Sequence, residues 1–186
     1  QKSILVNPSD YHTKVVEHKN QKVDIGLELY RSALSKSSVV WFYNQITGNQ
    51  DVTLAILTAA EENDIPLSLA FALAYTESRY KVTAVNSNTN KSIDRGLFQL
   101  NNRSFPQLKE EEFFDPYISA KYGMSHLRFC LNTAGNEVSA LAMYNAGTGR
   151  VRSNKTPQST LNYVGKIMSY QKMLDQLFEE QVASYL

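Results

Sequence analysis

Apolar residues recur at helical spacing along most of this chain. From Val23 to Leu34 they fall at positions 23, 27, 30 and 34. Val39, Val40, Phe42, Tyr43 and Ile46 continue the pattern until Gly48, a helix stop. Asp51 is placed to cap a helix running to about Asn63, with Val52, Ile56 and Ala59 on one face. Asp64-Ile65-Pro66 then breaks the pattern, and proline suits the first turn of the next helix, Pro66 to about Arg79. That helix is apolar on nearly every side, which predicts a position in the middle of a domain. Residues 84–92, rich in Asn, Ser and Thr, read as turn and loop. Leu97 to Leu100 predicts one short strand of a small hairpin or three-stranded lobe. Glu110 to Glu112 reads as a solvated helix start. Pro116 to Leu131 and Val138 to Tyr144 read as helices punctuated by Gly135 and Gly147. Leu161, Val164, Ile167/Met168, Leu174 and Leu177/Phe178 mark a long closing helix. The sum is an α+β chain, predominantly α-helical, with a small β lobe.

Composition narrows the function classes. The chain has 186 residues, 42% of them hydrophobic, enough for one well-filled core with a small extension. Nineteen basic and 18 acidic residues leave a net charge of +1, so no charge imbalance points to nucleic acid. The single cysteine, Cys130, excludes an internal disulfide and reads as a small buried thiol. His126, four positions earlier, can meet it on one helix face. No apolar run approaches the roughly 20 residues that span a bilayer. Three scattered histidines form no metal-ligand spacing, and no phosphate loop or dinucleotide fingerprint is present, so no metal and no cofactor is expected. Residues 1 to about 20, with His12, Lys14, His18 and Lys19, read as a polar, solvated arm. The start at Gln1 leads us to expect a processed form, from which a signal peptide or lipid anchor has been removed.

The candidate chemistry centres on Glu77, at the far end of the apolar helix, and on Asp94, 17 positions later. Protonating a glycosidic oxygen needs a carboxylic acid that stays protonated near neutral pH. An apolar helix desolvates Glu77, and the negative end of the helix dipole also disfavours its charge. Asn86, Asn88 and Asn90 sit in the loop that follows. Gly96 allows backbone to approach a ligand with no Cβ in the way. Gln99 and Asn101, two apart, would point the same way from a strand, and their amides suit the N-acetyl and hydroxyl groups of an amino sugar.

Glu77-Ser78-x-Tyr80, Ala84-x-Asn86 and Asp94-x-Gly96-Leu97-Phe98-Gln99-Leu100-Asn101 resemble the core of the lysozyme-like superfamily. Ala142-Met143-Tyr144-Asn145-Ala146-Gly147 and Asn162-Tyr163-Val164-x-Lys166-Ile167 resemble the later motifs of lytic transglycosylases of the soluble, goose-lysozyme-like group. The resemblance covers roughly residues 65–170 in the family's order. It implies a lysozyme-like fold with a groove for a peptidoglycan glycan strand. On this division residues 1–50 are a helical extension packed on the core, and 51–186 are the transglycosylase domain.

By the same resemblance Glu77 is the sole acid and base. It cuts between N-acetylmuramic acid and N-acetylglucosamine and leaves a 1,6-anhydro ring, with the substrate's acetamido group replacing a second carboxylate. Tyr144 would orient or hydrogen-bond Glu77, Asn145 would contact sugar, Tyr163 would line the site, and Gln99 would hold acetamido or hydroxyl groups. Ser78, Asn86, Gly96 and Asn101 complete the expected substrate-binding set. Gly147 would cap the Tyr144 helix in the left-handed conformation. The substrate implies a periplasmic or cell-envelope monomer, lipid-anchored in its full-length form, with a cell-envelope or secretion-machinery partner.

Two departures leave alternatives open. An Asp before Gly-x-x-Gln resembles animal-type lysozymes, and also the specialised transglycosylases attached to secretion systems. Asn86 stands where the soluble group commonly has serine. Asp94 is therefore either the second catalytic carboxylate of a hydrolase or a structural partner of Arg95, Arg103 or another cation. A wall-binding module that has lost activity is the third reading.

Overall fold

A computed structural model describes residues 24–186 together with Ser9, His12 and Thr13. The rest of the expected N-terminal arm, Lys14, His18 and Lys19 included, lies outside the described residues, as does Val23. Helix α1, Ile25–Arg31, starts at Asp24, whose carboxylate accepts from the Leu27 amide at 2.8 Å. It stops before Leu34, which is 94% exposed, so the predicted 23–34 period holds only as far as Tyr30. Helix α2, Lys36–Thr47, ends at Gly48 as expected. The cap of α3, Gln50–Glu62, is Asn49 and not Asp51. The Asn49 side chain accepts from the Val52 amide at 3.1 Å, and Asp51 lies in the first turn.

Helix α4, Leu67–Ser78, follows Pro66 and has every residue from Leu67 to Ala74 buried. An aromatic stack holds it: Tyr43 of α2 lies 3.9 Å from Phe71, and Phe42 packs edge-on against Phe178. Truncating a fully buried phenylalanine of this kind costs about 3–5 kcal/mol. One core cluster joins Leu27, Tyr30, Phe42 and Tyr43 to Phe71, Leu97, Phe98 and Leu174, so residues 24–50 pack into the same interior as the rest.

The β lobe is a three-stranded antiparallel sheet in the order β1 (Val85–Ser87), β2 (Ile93–Arg95), β3 (Leu100–Asn101). Asn86 pairs with Asp94, and Asp94 with Asn101. The segment read as loop thus contains a strand. Residues 97–99, read as strand, form a turn in which Gln99 has a φ of +51°. Strands of two or three residues are too short for alternation to show, and all three residues of β1 are exposed. A 3-10 helix, Glu110–Phe114, leads to Asp115, which caps α5, Pro116–Ala134, through the amides of Tyr117 and Ile118. Helix α6, Glu137–Ala146, and the short α7, Thr148–Arg152, precede the long closing helix α8, Gln158–Gln181. The last element is a 3-10 turn at Ala183–Tyr185. This is the predominantly α-helical α+β architecture with a small β lobe that the sequence predicts.

Candidate active site

Glu77 lies in the last turn of α4. The chain turns sharply after it, because Arg79 and Tyr80 both adopt positive φ, +51° and +63°. Tyr80 fastens this turn back on the helix by donating to the Phe71 carbonyl at 3.0 Å. Ser78 is buried. Its hydroxyl donates to the Leu97 carbonyl at 2.7 Å, with the Ala74 carbonyl at 3.1 Å. Ser78 therefore ties the helix end to the β lobe from beneath and is not on the cleft wall.

A cleft of about 530 Å3 opens between the helical body and the β lobe. Glu77, Asp94, Gln99, Asn101, Tyr144 and Asn145 all line it, whereas Asn86, Gly96 and Tyr163 do not. The amide of Asn86 donates to Gln99 Oε1 at 2.7 Å, and Gln99 Nε2 donates to the carbonyls of Gly96 (2.9 Å) and Ala84 (3.1 Å). These bonds brace the hairpin. Gln99 does not share a strand face with Asn101 as expected, since it occupies the turn before β3. Gly96, at a φ of +81°, makes its close approach to the protein and not to the cleft. A Cβ there would stand 1.9 Å from the Phe113 carbonyl oxygen.

Burial pushes the Glu77 carboxyl up to about 8, with the negative charge of Asp94 adding to the rise and a hydrogen bond from Tyr163 opposing it. The tyrosine that donates to Glu77 Oε1 is Tyr163 of α8. Tyr144, expected in that role, donates to the Phe98 carbonyl at 2.9 Å and fixes the turn below the cleft. Asn145 Oδ1 accepts from Thr160 at 2.7 Å, which ties α6 to the start of α8. Gly147 has a φ of +89° with an extended ψ of 147°, so it links α6 to α7 in place of the expected left-handed cap.

Asp94 pairs with neither Arg95 nor Arg103. Its Oδ1 accepts from Asn101 at 2.8 Å and its Oδ2 from Asn88 at 2.9 Å. Buried Ser92 accepts from both of those amides and donates to Asn90. Arg95 instead reaches Glu110 at 3.8 Å and lies over the Phe113 ring. The cleft thus holds a hydrophobically shielded acid and a carboxylate braced by neutral amides. The first can give a proton and the second can supply fixed negative charge.

Sequence reasoning missed three contributors to the site. Asn88 appeared only as a loop residue, because its bond to Asp94 depends on the hairpin register. His126 and Arg150 both line the cleft, and nothing local in the sequence marks them. Burial lowers the pKa of His126, whose Nε2 lies 3.8 Å from Cys130 Sγ, and burial pushes the Cys130 thiol up to about 11. A thiol so placed stays protonated and is no nucleophile at neutral pH. Among the described residues no group of three or more His, Cys, Asp or Glu side chains converges as metal ligands do.

The model of one family, Transglycosylase SLT domain, matches residues 55–164. Protein IpgF of Shigella flexneri is 33% identical over 115 residues, which is 59% of this chain and 73% of that protein. Invasion protein IagB of Salmonella typhi is 31% identical over 150 residues, 77% of this chain and 89% of that protein. Among solved structures, an inactive mutant of the lytic transglycosylase Slt from Pseudomonas aeruginosa aligns with 91% of this chain at a TM-score of 0.56 and 20% identity. That likeness carries the fold, and this chain spans 34% of the Slt chain. With the matched span running from α3 into α8 and taking in more than half of its residues, this protein belongs to the Transglycosylase SLT domain family.

Proposed function

We propose that this protein is a peptidoglycan lytic transglycosylase, with Glu77 as its acid and base. The observation that carries this reading is a carboxyl kept protonated to about 8 at the wall of a cleft, next to a tyrosine donor. Glu77 gives its proton to the oxygen between N-acetylmuramic acid and N-acetylglucosamine, and the C1–O bond breaks. The substrate's acetamido oxygen supports the electron-poor C1. The Glu77 carboxylate then takes the proton of the muramic C6 hydroxyl, O6 bonds to C1, and the acid is restored without water. While Glu77 is charged, Tyr163 donates to it and fixes its orientation. Asp94, held by Asn88 and Asn101, places negative charge near the developing positive centre.

One observation favours a second reading. Asp94 lines the same cleft as Glu77 and accepts from the neutral amides of Asn88 and Asn101, and among the described residues it forms no salt bridge that would mark it as structural. Hydrolysis by a Glu77/Asp94 pair is the alternative that this arrangement allows. Peptidoglycan lies outside the bacterial cytoplasm, so the chain would act at the envelope. A cell-envelope or secretion-machinery partner belongs to the same proposal.

The test is mass spectrometry of soluble products from purified sacculi, beside a Glu77→Gln control. Anhydromuramic ends, one water lighter than lysozyme fragments and absent from the control, are expected. Reducing ends would move Asp94 into the catalytic pair. Binding without any Glu77-dependent product would leave a wall-binding module.

A further inference from the structure

The Asp94 carboxylate ends a relay of hydrogen bonds whose direction the backbone sets on both sides. On one side the Ser92 amide donates to Asn90 Oδ1 at 2.9 Å. On the other the Arg103 amide donates to Asn101 Oδ1 at 3.0 Å. A backbone N–H can only donate, so each of these asparagines must keep its oxygen toward the backbone. The tight turn at 88–91 makes the first contact possible. Lys91 adopts a φ of +65° there, and its amide donates to the Asn88 carbonyl at 3.0 Å, which brings Asn90 back over Ser92.

The Ser92 hydroxyl has no freedom left. Asn90 Oδ1 is an acceptor, so the hydroxyl proton goes to it, at 2.6 Å. A hydroxyl has two lone pairs besides its proton. Both are taken, by the amides of Asn101 at 2.8 Å and Asn88 at 3.1 Å. Each amide has one N–H left, and each aims it at a different oxygen of Asp94. Ser92 is 2% exposed, so water is a poor substitute for any of these partners. Asp94 is only half-buried and forms no salt bridge among the described residues, so the relay is what fixes the plane of its carboxylate.

We propose that Ser92 and Asn90 are positioning residues for turnover: acting through Asn88 and Asn101, they hold the Asp94 carboxylate in the orientation that the reacting sugar meets. The proposal rests on the reading of this cleft as the site of glycan cleavage. Both residues act through Asp94, so neither substitution should cost more than removing its charge, about tenfold in kcat. Ser92→Ala takes away the oxygen on which both amides lean, and kcat should fall about fivefold with KM held within about twofold. Asn90→Ala removes only the acceptor that commits the hydroxyl, and the fall should be about threefold. Asn90→Asp keeps an oxygen that accepts from both Ser92 donors and should bring kcat back to within about twofold of wild type.

The experiment measures kcat and KM on purified glycan strands for these variants, and for Ser92→Ala and Asn90→Ala placed in an Asp94→Asn background. In that background neither substitution should lower kcat further, because the group they position is gone. A role in holding the lobe together would instead add its loss to that of Asp94→Asn. Additive losses, a loss carried in KM, or no recovery in Asn90→Asp would overturn the proposal. Asn90 is exposed, so its variants decide the outcome even where the buried Ser92→Ala fails to fold. Asp94→Asn at the full wild-type kcat would overturn the positioning role and leave Glu77 untouched. Product release by Glu77→Gln would overturn the acid/base reading itself, and this proposal with it.

Discussion

Two carboxylates face one cleft from opposite surroundings. Glu77 ends a helix whose residues Leu67–Ala74 are all buried, and its charge finds little solvent and one hydroxyl donor. Asp94 sits in a lobe of short strands, where two asparagine amides are aimed at its oxygens. Burial holds the first carboxyl protonated to about 8, and the charge of the second reinforces that. The difference teaches that solvent and donors, not residue type, divide the labour between chemically equal groups.

The comparison breaks most completely at Glu77. Glu77→Gln keeps shape and neutrality but cannot transfer a proton, and turnover should drop about 1000-fold while sacculus binding persists. Product quantitation by mass spectrometry and a pull-down with sacculi read the two effects separately.

The β lobe can be broken next. Gly96→Ala puts a methyl group 1.9 Å from the Phe113 carbonyl oxygen at a φ of +81°. The loss should be about 3 kcal/mol or more in urea unfolding, because neither backbone can yield.

Glu77 also costs stability, and the sign follows from its proton. The folded state holds that proton up to about 8, against an ordinary carboxyl value of 4.5. The folded state therefore binds more protons between those values, and stability falls as pH rises from about 4.5 to 8. Glu77→Gln should be more stable than wild type by up to about 5 kcal/mol above pH ~8, with the gap closing as pH falls from about 8 to 4.5 and gone below that. Urea unfolding across the pH range checks this.

The finest test separates the two neighbours of Glu77. Tyr163 lowers the pKa of Glu77 and Asp94 raises it. Tyr163→Phe should move the alkaline limb of the pH–rate profile upward, and Asp94→Asn should move it downward. Each should also slow turnover by about tenfold. Limbs moving in the same direction would mean that the two side chains do not act on Glu77 from opposite signs.

The long periodic elements were legible in the sequence. The pattern of Val52, Ile56 and Ala59 marked the buried face of α3, and the apolar run after Pro66 marked a fully buried α4. The lobe was not. β1 carries no buried residue, and the 97–99 segment reads as an apolar strand although it is a turn beneath the cleft. Its apolar side chains are there to fill the core: Leu97 and Phe98 are both fully buried. Gly96 was legible as a close-approach position, but the approaching group is the Phe113 carbonyl 17 residues downstream.

By itself the sequence determined the long helices, the stops at Gly48 and Pro66, and the placement of an acid at the end of a desolvated helix. Periodicity, proline and glycine act over a few residues, so their signals survive without the fold. Only the tertiary structure decided that Tyr163, 86 positions from Glu77, holds it, while Tyr144 reaches 46 positions back to Phe98. It also decided that Asp94 rests on amides and not on arginine. These choices depend on how α8 crosses the end of α4 and on the register of three short strands. Neither the crossing nor the register repeats along the chain, so neither leaves a local pattern to read.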